Sequence, residues 1–294
     1  VSTPETIGRY QILFPLDRAG LGVVYLGQLV GPGGYSATVA VRRLVGLAPA
    51  SAEGAAFLDR ARRAAGVTHA SVVQTFDVGV HEGDLYVASE LVRGVTLAAL
   101  TRELSDRGEP LAPDLAVHVA SEAAAGLAAA HAKGVVHGEL SPGRVLCGFD
   151  GRVVVMGFEL AGLRAGPPSI CTAPEAVRRE ALDDRADVYS LGAILCEALL
   201  GGRLFAQPQP RDAARDVLAA RPDVSVALAT LVRRCLAAAR VDRPTCAELR
   251  QALRSLPEAR GADQARLRAE IARVFPGEER ALSERIRAAT TPPR

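Results

Sequence analysis

The stretch from Val135 to Leu146 sets His137, Glu139, Ser141 and Arg144 close together among apolar residues. A carboxylate there can accept a proton, and an arginine can hold an anion. A second set runs from Leu16 to Tyr25, with Gly20 and Gly22, and is followed by Val39-Ala40-Val41-Arg42-Arg43. Glycines let backbone approach a phosphate closely, and the arginines can meet its charge. A third is Val153-Val154-Val155-Met156-Gly157-Phe158-Glu159, an apolar run that delivers a glycine, a ring and a carboxylate. These types suit proton transfer and phosphate binding.

The elements that must position them divide into two kinds. Apolar runs at Tyr10 to Leu16, Val23 to Leu29, Thr38 to Leu44, Val72 to Val80 and Leu85 to Glu90 predict strands. They are broken by turns such as Gly31-Pro32-Gly33-Gly34 and Glu82-Gly83-Asp84. One helix, Ala52 to Ala65, is inserted among them. After about Val95 the pattern turns helical. Asp114 to Lys133 carries Leu115, Val119, Ala123 and Leu127 on one stripe, and Asp187 to Leu200 and Leu228 to Ala239 follow. Thr245, with Glu248 three residues on, predicts a capped helix start. The fold class expected is α+β, bilobal, with a small β-rich N-lobe and a larger helical C-lobe.

Bulk properties narrow the function. The chain has 294 residues, 49% hydrophobic and 23% charged, enough for one large domain or two fused lobes. A net charge of +2 leaves no electrostatic footprint for nucleic acid. Lys133 is the one lysine, so single Lys-to-Arg changes carry less weight here. No apolar run reaches about 18 residues, so no membrane span is expected, nor is a signal peptide, and a cytoplasmic location is expected. The start at Val1-Ser2, without Met, suggests a piece of a longer protein. Cys147, Cys171, Cys196, Cys235 and Cys246 form no C-x-x-C pair. They are expected to be buried free thiols in a reducing compartment rather than metal ligands.

In order along the chain, these segments resemble the bacterial, eukaryotic-like Ser/Thr protein kinases. The resemblance runs from about Ile7 to Leu256, with an N-lobe at about 7–92 and a C-lobe at about 93–256. It places Glu139 at the catalytic Asp of the H-R-D-L-x-x-x-N loop and Arg144 at its metal-binding Asn, with Gly138 and Ser141 for the loop's usual Arg and Lys. Gly157 falls at the magnesium-binding Asp of D-F-G. Arg42 stands for the phosphate-binding Lys, and Arg60 for the regulatory-helix Glu, so that these two arginines are expected to repel. Asp17 and Ala19 replace the first two glycines of the phosphate loop, and Gly22 remains. Packing positions are kept. His137 and Phe158 fall in the spine between lobes, Asp187 supports the catalytic loop, and Arg243 pairs with Glu175 of Ala173-Pro174-Glu175. An adenine cleft would be lined by Leu16, Val24, Ala40, Ser89, Leu91 and Leu146.

The pattern implies a pseudokinase, expected not to be an enzyme, that acts as an interaction, scaffold or regulatory module for a protein partner, such as an active kinase. Glu139 reaches about one methylene further than Asp, and a shift of about 1 Å can cost on the order of 10²-fold. The alternative is a metal-independent nucleotide or small-molecule sensor holding ATP or an adenine-like ligand in the old cleft. A remote third is a weak atypical kinase using Arg42, Arg43 or Arg144 as surrogate charges. No metal site is expected. The segment from 160 to 172 is short, and neither autophosphorylation nor phospho-activation of the usual kind is expected at Ser169 or Thr172. Residues 257–294 read as a helical extension, with Leu267, Ile271 and Val274 on one stripe and Leu282 and Ile286 on another. They pack back on the C-lobe or serve for docking or dimerisation. A linker starts at Thr290-Thr291-Pro292-Pro293.

Overall fold

β-branched and aromatic residues that alternate in burial build the first sheet. The computed structural model describes residues 6–19, 22–32, 36–163, 167–201 and 213–290. Gly20 and Leu21, the Gly33-Gly34 turn, residues 164–166 and the expected linker at 291–293 lie outside them. Strands β1 (Thr6–Ile7), β2 (Tyr10–Ala19), β3 (Gly22–Val30) and β4 (Ser36–Leu44) come first. Helix α1 (Ala52–Ala65) follows, then β5 (Thr75–His81) and β6 (Asp84–Glu90). They form one antiparallel sheet in the order β1-β2-β3-β4-β6-β5. Its two faces bury separate clusters: Tyr10, Tyr25, Val39, Val41 and Tyr86 on one side, and Leu44, Leu85 and Val87 with Phe57 and Ala61 of α1 on the other. Side chains on successive strand residues point oppositely, so Arg42 and Arg43 cannot serve the same face.

The expected strand at Val72 to Val80 starts later, at Thr75. Val72 leaves the first sheet, makes a parallel bridge to Val155, and is buried in the C-lobe core. An apolar run reads alike in either setting, so the sequence placed the whole run in one strand.

The second lobe opens with β7 (Gly94–Thr96) and α2 (Leu97–Asp106), then α3 (Pro113–His131), β8 (Val145–Gly148) and β9 (Val153–Val155). The helices α4 (Pro174–Val177), α5 (Asp184–Leu200), α6 (Ala213–Ala220), α7 (Val226–Cys235) and α8 (Cys246–Ser255) follow, with α9 (Gln264–Val274) and α10 (Glu278–Thr290) last. Sequence reading did not single out α2, although Thr96 caps it and Leu97, Leu100 and Leu104 bury one face. Helix α5 begins earlier than expected because Asp183 accepts from the Arg185 backbone N–H. Helix α7 stops at Cys235, short of Ala239. The Thr245–Glu248 capping box forms as its spacing predicts. The fold is bilobal α+β, and α9 sends Leu267, Ile271 and Val274 into the C-lobe core.

Candidate functional site

The loop after α3 is held from below. The buried Asp187 on α5 accepts from the backbone N–H of His137 at 2.8 Å and of Gly138 at 2.7 Å, and its Oδ2 lies 2.7 Å from His131 Nε2. Two backbone donors on one carboxylate fix the loop's path. Gly138 takes φ +68°, a left-handed conformation that glycine adopts without penalty. His137 is fully buried, and its ring packs on Phe158 with centroids 4.8 Å apart. Its Nδ1 accepts from the Glu139 N–H at 3.2 Å while Nε2 faces the Met156 carbonyl at 3.1 Å. Burial lowers the His137 pKa, against the opposing pull of Asp187 and the Met156 carbonyl.

At the next turn Arg144 and Gly157 meet. A side-chain carbon on Gly157 would stand 3.2 Å from both Cδ and Nη1 of Arg144, and Gly157 holds φ +94°. The guanidinium therefore occupies the space into which a side chain at 157 would project. Burial lowers the Arg144 pKa, and Arg42 lowers it further, while Glu159 and Glu139 oppose both. Two cations and two carboxylates thus gather where the resemblance places phosphate and metal chemistry. Glu159, the carboxylate that ends the Val153-to-Phe158 run, is buried.

The expected clash of Arg42 with Arg60 is corrected. The charges acting on Arg60 are Arg63 and Asp59, after burial, and Arg42 instead acts on Arg144. Asp59 pairs with Arg63 at 3.0 Å on the exposed side of α1. Arg43 is tied to Asp84 at 2.8 Å and is not a cleft charge.

Leu16, Val24, Ala40, Ser89, Leu91 and Leu146 line one cavity of about 450 Å³ between the lobes. Register explains the convergence: Val24 faces Arg42 across β3 and β4, and Ala40 faces Ser89 across β4 and β6. Asp17, Arg42, Thr75, Met156, Gly157, Phe158 and Glu159 join the lining. So do Glu278, Leu282 and Arg285 of α10, which no sequence signal connected to the cleft.

Below the site, Arg243 and Glu175 form a buried bidentate pair at 2.6 and 3.0 Å. The guanidinium also lies 5.0 Å from the Tyr189 ring centroid.

The protein kinase domain family model matches residues 38–253. The chain belongs to the protein kinase domain family. Among its relatives, the serine/threonine-protein kinase PkaB of Streptomyces coelicolor is 34% identical over 273 residues, covering 84% of this chain and 63% of PkaB. The serine/threonine-protein kinase PknB of Mycobacterium tuberculosis is 30% identical over 238 residues, covering 76% of this chain and 36% of PknB. The crystal structure of the Mycobacterium tuberculosis PknI kinase domain aligns with a TM-score of 0.71 at 27% identity, covering 84% of this chain and 96% of that one. The kinase chain described here thus spans less than two thirds of the curated relatives' length. These relatives group it with the bacterial eukaryotic-like Ser/Thr kinases.

This membership overturns one expectation. The chain was expected not to be an enzyme, but it carries the protein kinase domain, and its relatives are named as kinases. The residues at Arg42, Arg60, Glu139, Arg144 and Gly157 are changes of type within a kinase domain and are not a demonstration of lost activity.

A divalent metal is a separate matter. Its two expected protein ligands are a cation, Arg144, and a residue without a side chain, Gly157. Among the described residues no group of three His, Cys, Asp or Glu is placed to hold a metal ion. Neither position that the resemblance assigns to the ion offers it a ligand. No helix of the described residues is long and apolar enough to cross a membrane.

Proposed function

We propose that this kinase domain is a nucleotide-responsive signalling module: its interlobe cleft takes an adenine nucleotide without a divalent metal, and the bound form engages a protein partner. The observation that carries this is the cavity itself. Its apolar walls, from Leu16, Val24, Ala40 and Leu146, suit a purine ring, and Arg42 lies in the same lining. Apolar walls with a few placed polar groups are the usual composition of such sites. Arg42 supplies positive charge to the lining where phosphates would lie, and Arg144, whose own charge feels that of Arg42, stands behind it. Guanidinium forks match phosphate oxygens in pairs, which needs no ion between them.

Phosphoryl transfer, the activity in the names of PkaB and PknB, would in this cleft have Glu139 at the base position and Arg42 and Arg144 as its charges. Charge neutralisation and positioning are the main demands of that reaction.

Titration calorimetry with ATP in EDTA and in magnesium tests the binding reading. Similar affinity in both conditions supports it, and no heat in either sinks it. Radiolabelled phosphate transfer by the native chain, compared with Glu139→Gln, measures the reaction in parallel. A partner captured equally well with and without ATP would remove the signalling part.

A further inference from the structure

The last helix lies across the mouth of the cleft, and we propose that it is a gate that controls ligand entry. The proposal concerns regulation of the site above and rests on that reading only for the identity of the ligand.

Three observations carry it. First, α10 touches both lobes at the cleft's edge. The Arg285 guanidinium stacks on the Phe14 ring at 3.9 Å and donates from Nη2 to the Pro15 carbonyl at 3.3 Å. Phe14 and Pro15 directly precede Leu16, which lines the cavity. On the other side, Arg93, just beyond the segment joining the lobes, donates to Ser283 Oγ at 3.3 Å. Leu282 lines the cavity and packs against the C-lobe core.

Second, the hold is light. No residue of α10 is buried, whereas α9 is fixed by the buried Leu267, Ile271 and Val274. An element that buries none of its residues opens at lower free energy than the packed core while the rest stays folded.

Third, a hinge separates the fixed helix from the loose one. Pro276-Gly277 joins α9 to α10, Gly277 sits at φ +86°, and no atom lies within 4 Å of where its side chain would be.

Two opening variants test the gate, Arg285→Ala in the full chain and a chain ending at residue 277. A thiol placed in the cleft by Ser89→Cys reports access, because the native cysteines are all buried. Reaction of that thiol with a small aromatic disulfide should quicken on the order of tenfold in Arg285→Ala and by more in the shortened chain, which loses every contact of the helix. An unchanged rate in both overturns the gate. So does a slower rate, which would make α10 a wall of the site. With Ser89 intact, association of a fluorescent adenine nucleotide should accelerate in the same variants. Nucleotide that binds no form of the protein sinks the ligand reading, while the thiol rates still decide the gate.

Discussion

Arg144 and Gly157 are matched: the guanidinium lies 3.2 Å from the place where a side chain at 157 would begin. Restoring a carboxylate there should therefore fail unless the arginine is shortened too. Gly157→Asp alone is expected to destabilise the domain by about 1–3 kcal/mol, through the contact and the left-handed backbone. In an Arg144→Asn background the penalty should fall by at least about 0.5 kcal/mol. Urea unfolding of the four chains of this cycle gives the coupling directly, and additive penalties would mean the two residues do not compete for space.

Glu175 and Arg243 form a buried, bidentate ion pair in the C-lobe, and it should depend on acid. Burial pushes the Glu175 carboxyl up, but the Arg243 guanidinium outweighs it and holds the pKa below its ordinary 4.5. A depressed carboxylate stabilises fully above its unfolded pKa and loses that stabilisation as pH falls through the folded one. The difference in stability between the native chain and Glu175→Gln should accordingly shrink from about pH 4.5 downward. At neutral pH, Arg243→Met should cost about 3–5 kcal/mol, since it leaves a buried carboxylate unpaired. Chemical unfolding across pH checks both.

His137 should behave as a neutral residue in the folded state. Its Nδ1 accepts a hydrogen bond that a protonated ring could not accept, and burial already lowers its pKa from the ordinary 6.5. Stability tied to this ring is whole above about pH 6.5 and declines as pH falls below it, because the unfolded chain then binds the proton first. The ring proton signal of His137 in NMR should stay flat through pH 6.5, and a midpoint at the ordinary value would contradict the assignment.

Asp187 should be the costliest single truncation near the loop. Asp187→Ala strands the His137 and Gly138 amides, each worth about 1–3 kcal/mol when left buried and unpaired. Hydrogen exchange should quicken at residues 137 and 138 first. Uniform quickening throughout the C-lobe would show a general loss of packing instead.

Helices α9 and α10 should answer mutation differently. Leu267→Ala removes a fully buried side chain and should cost about 2–5 kcal/mol. Leu282→Ala should cost under about 1 kcal/mol, because α10 buries nothing completely. Equal losses in thermal or urea unfolding would contradict the division of the tail into an anchored helix and a loose one.

Local rules carried much of the fold. The capping box at Thr245, the turn at Glu82-Gly83 and the stripe of Leu267, Ile271 and Val274 all follow from neighbours along the chain. What was not legible depends on residues far apart. Val72 reads as strand, yet its partner is Val155. Arg42 was set against Arg60, yet its charge acts on Arg144. The stripe carrying Leu282 announced a face to be covered, but only the three-dimensional path shows that the face meets the cleft. Periodicity states that a surface needs a partner and is silent on which one.

The distribution of sulfur has a practical consequence. All five cysteines follow residue 146, and every one is buried. Burial pushes the Cys147, Cys171 and Cys235 thiols up to about 12, so they are almost wholly protonated near neutral pH. An alkylating reagent then meets a chemically silent N-lobe and a C-lobe that reacts only when it opens. Mass shifts counted over time become a one-lobe clock, which separates breathing of the helical half from any movement of the sheet above it.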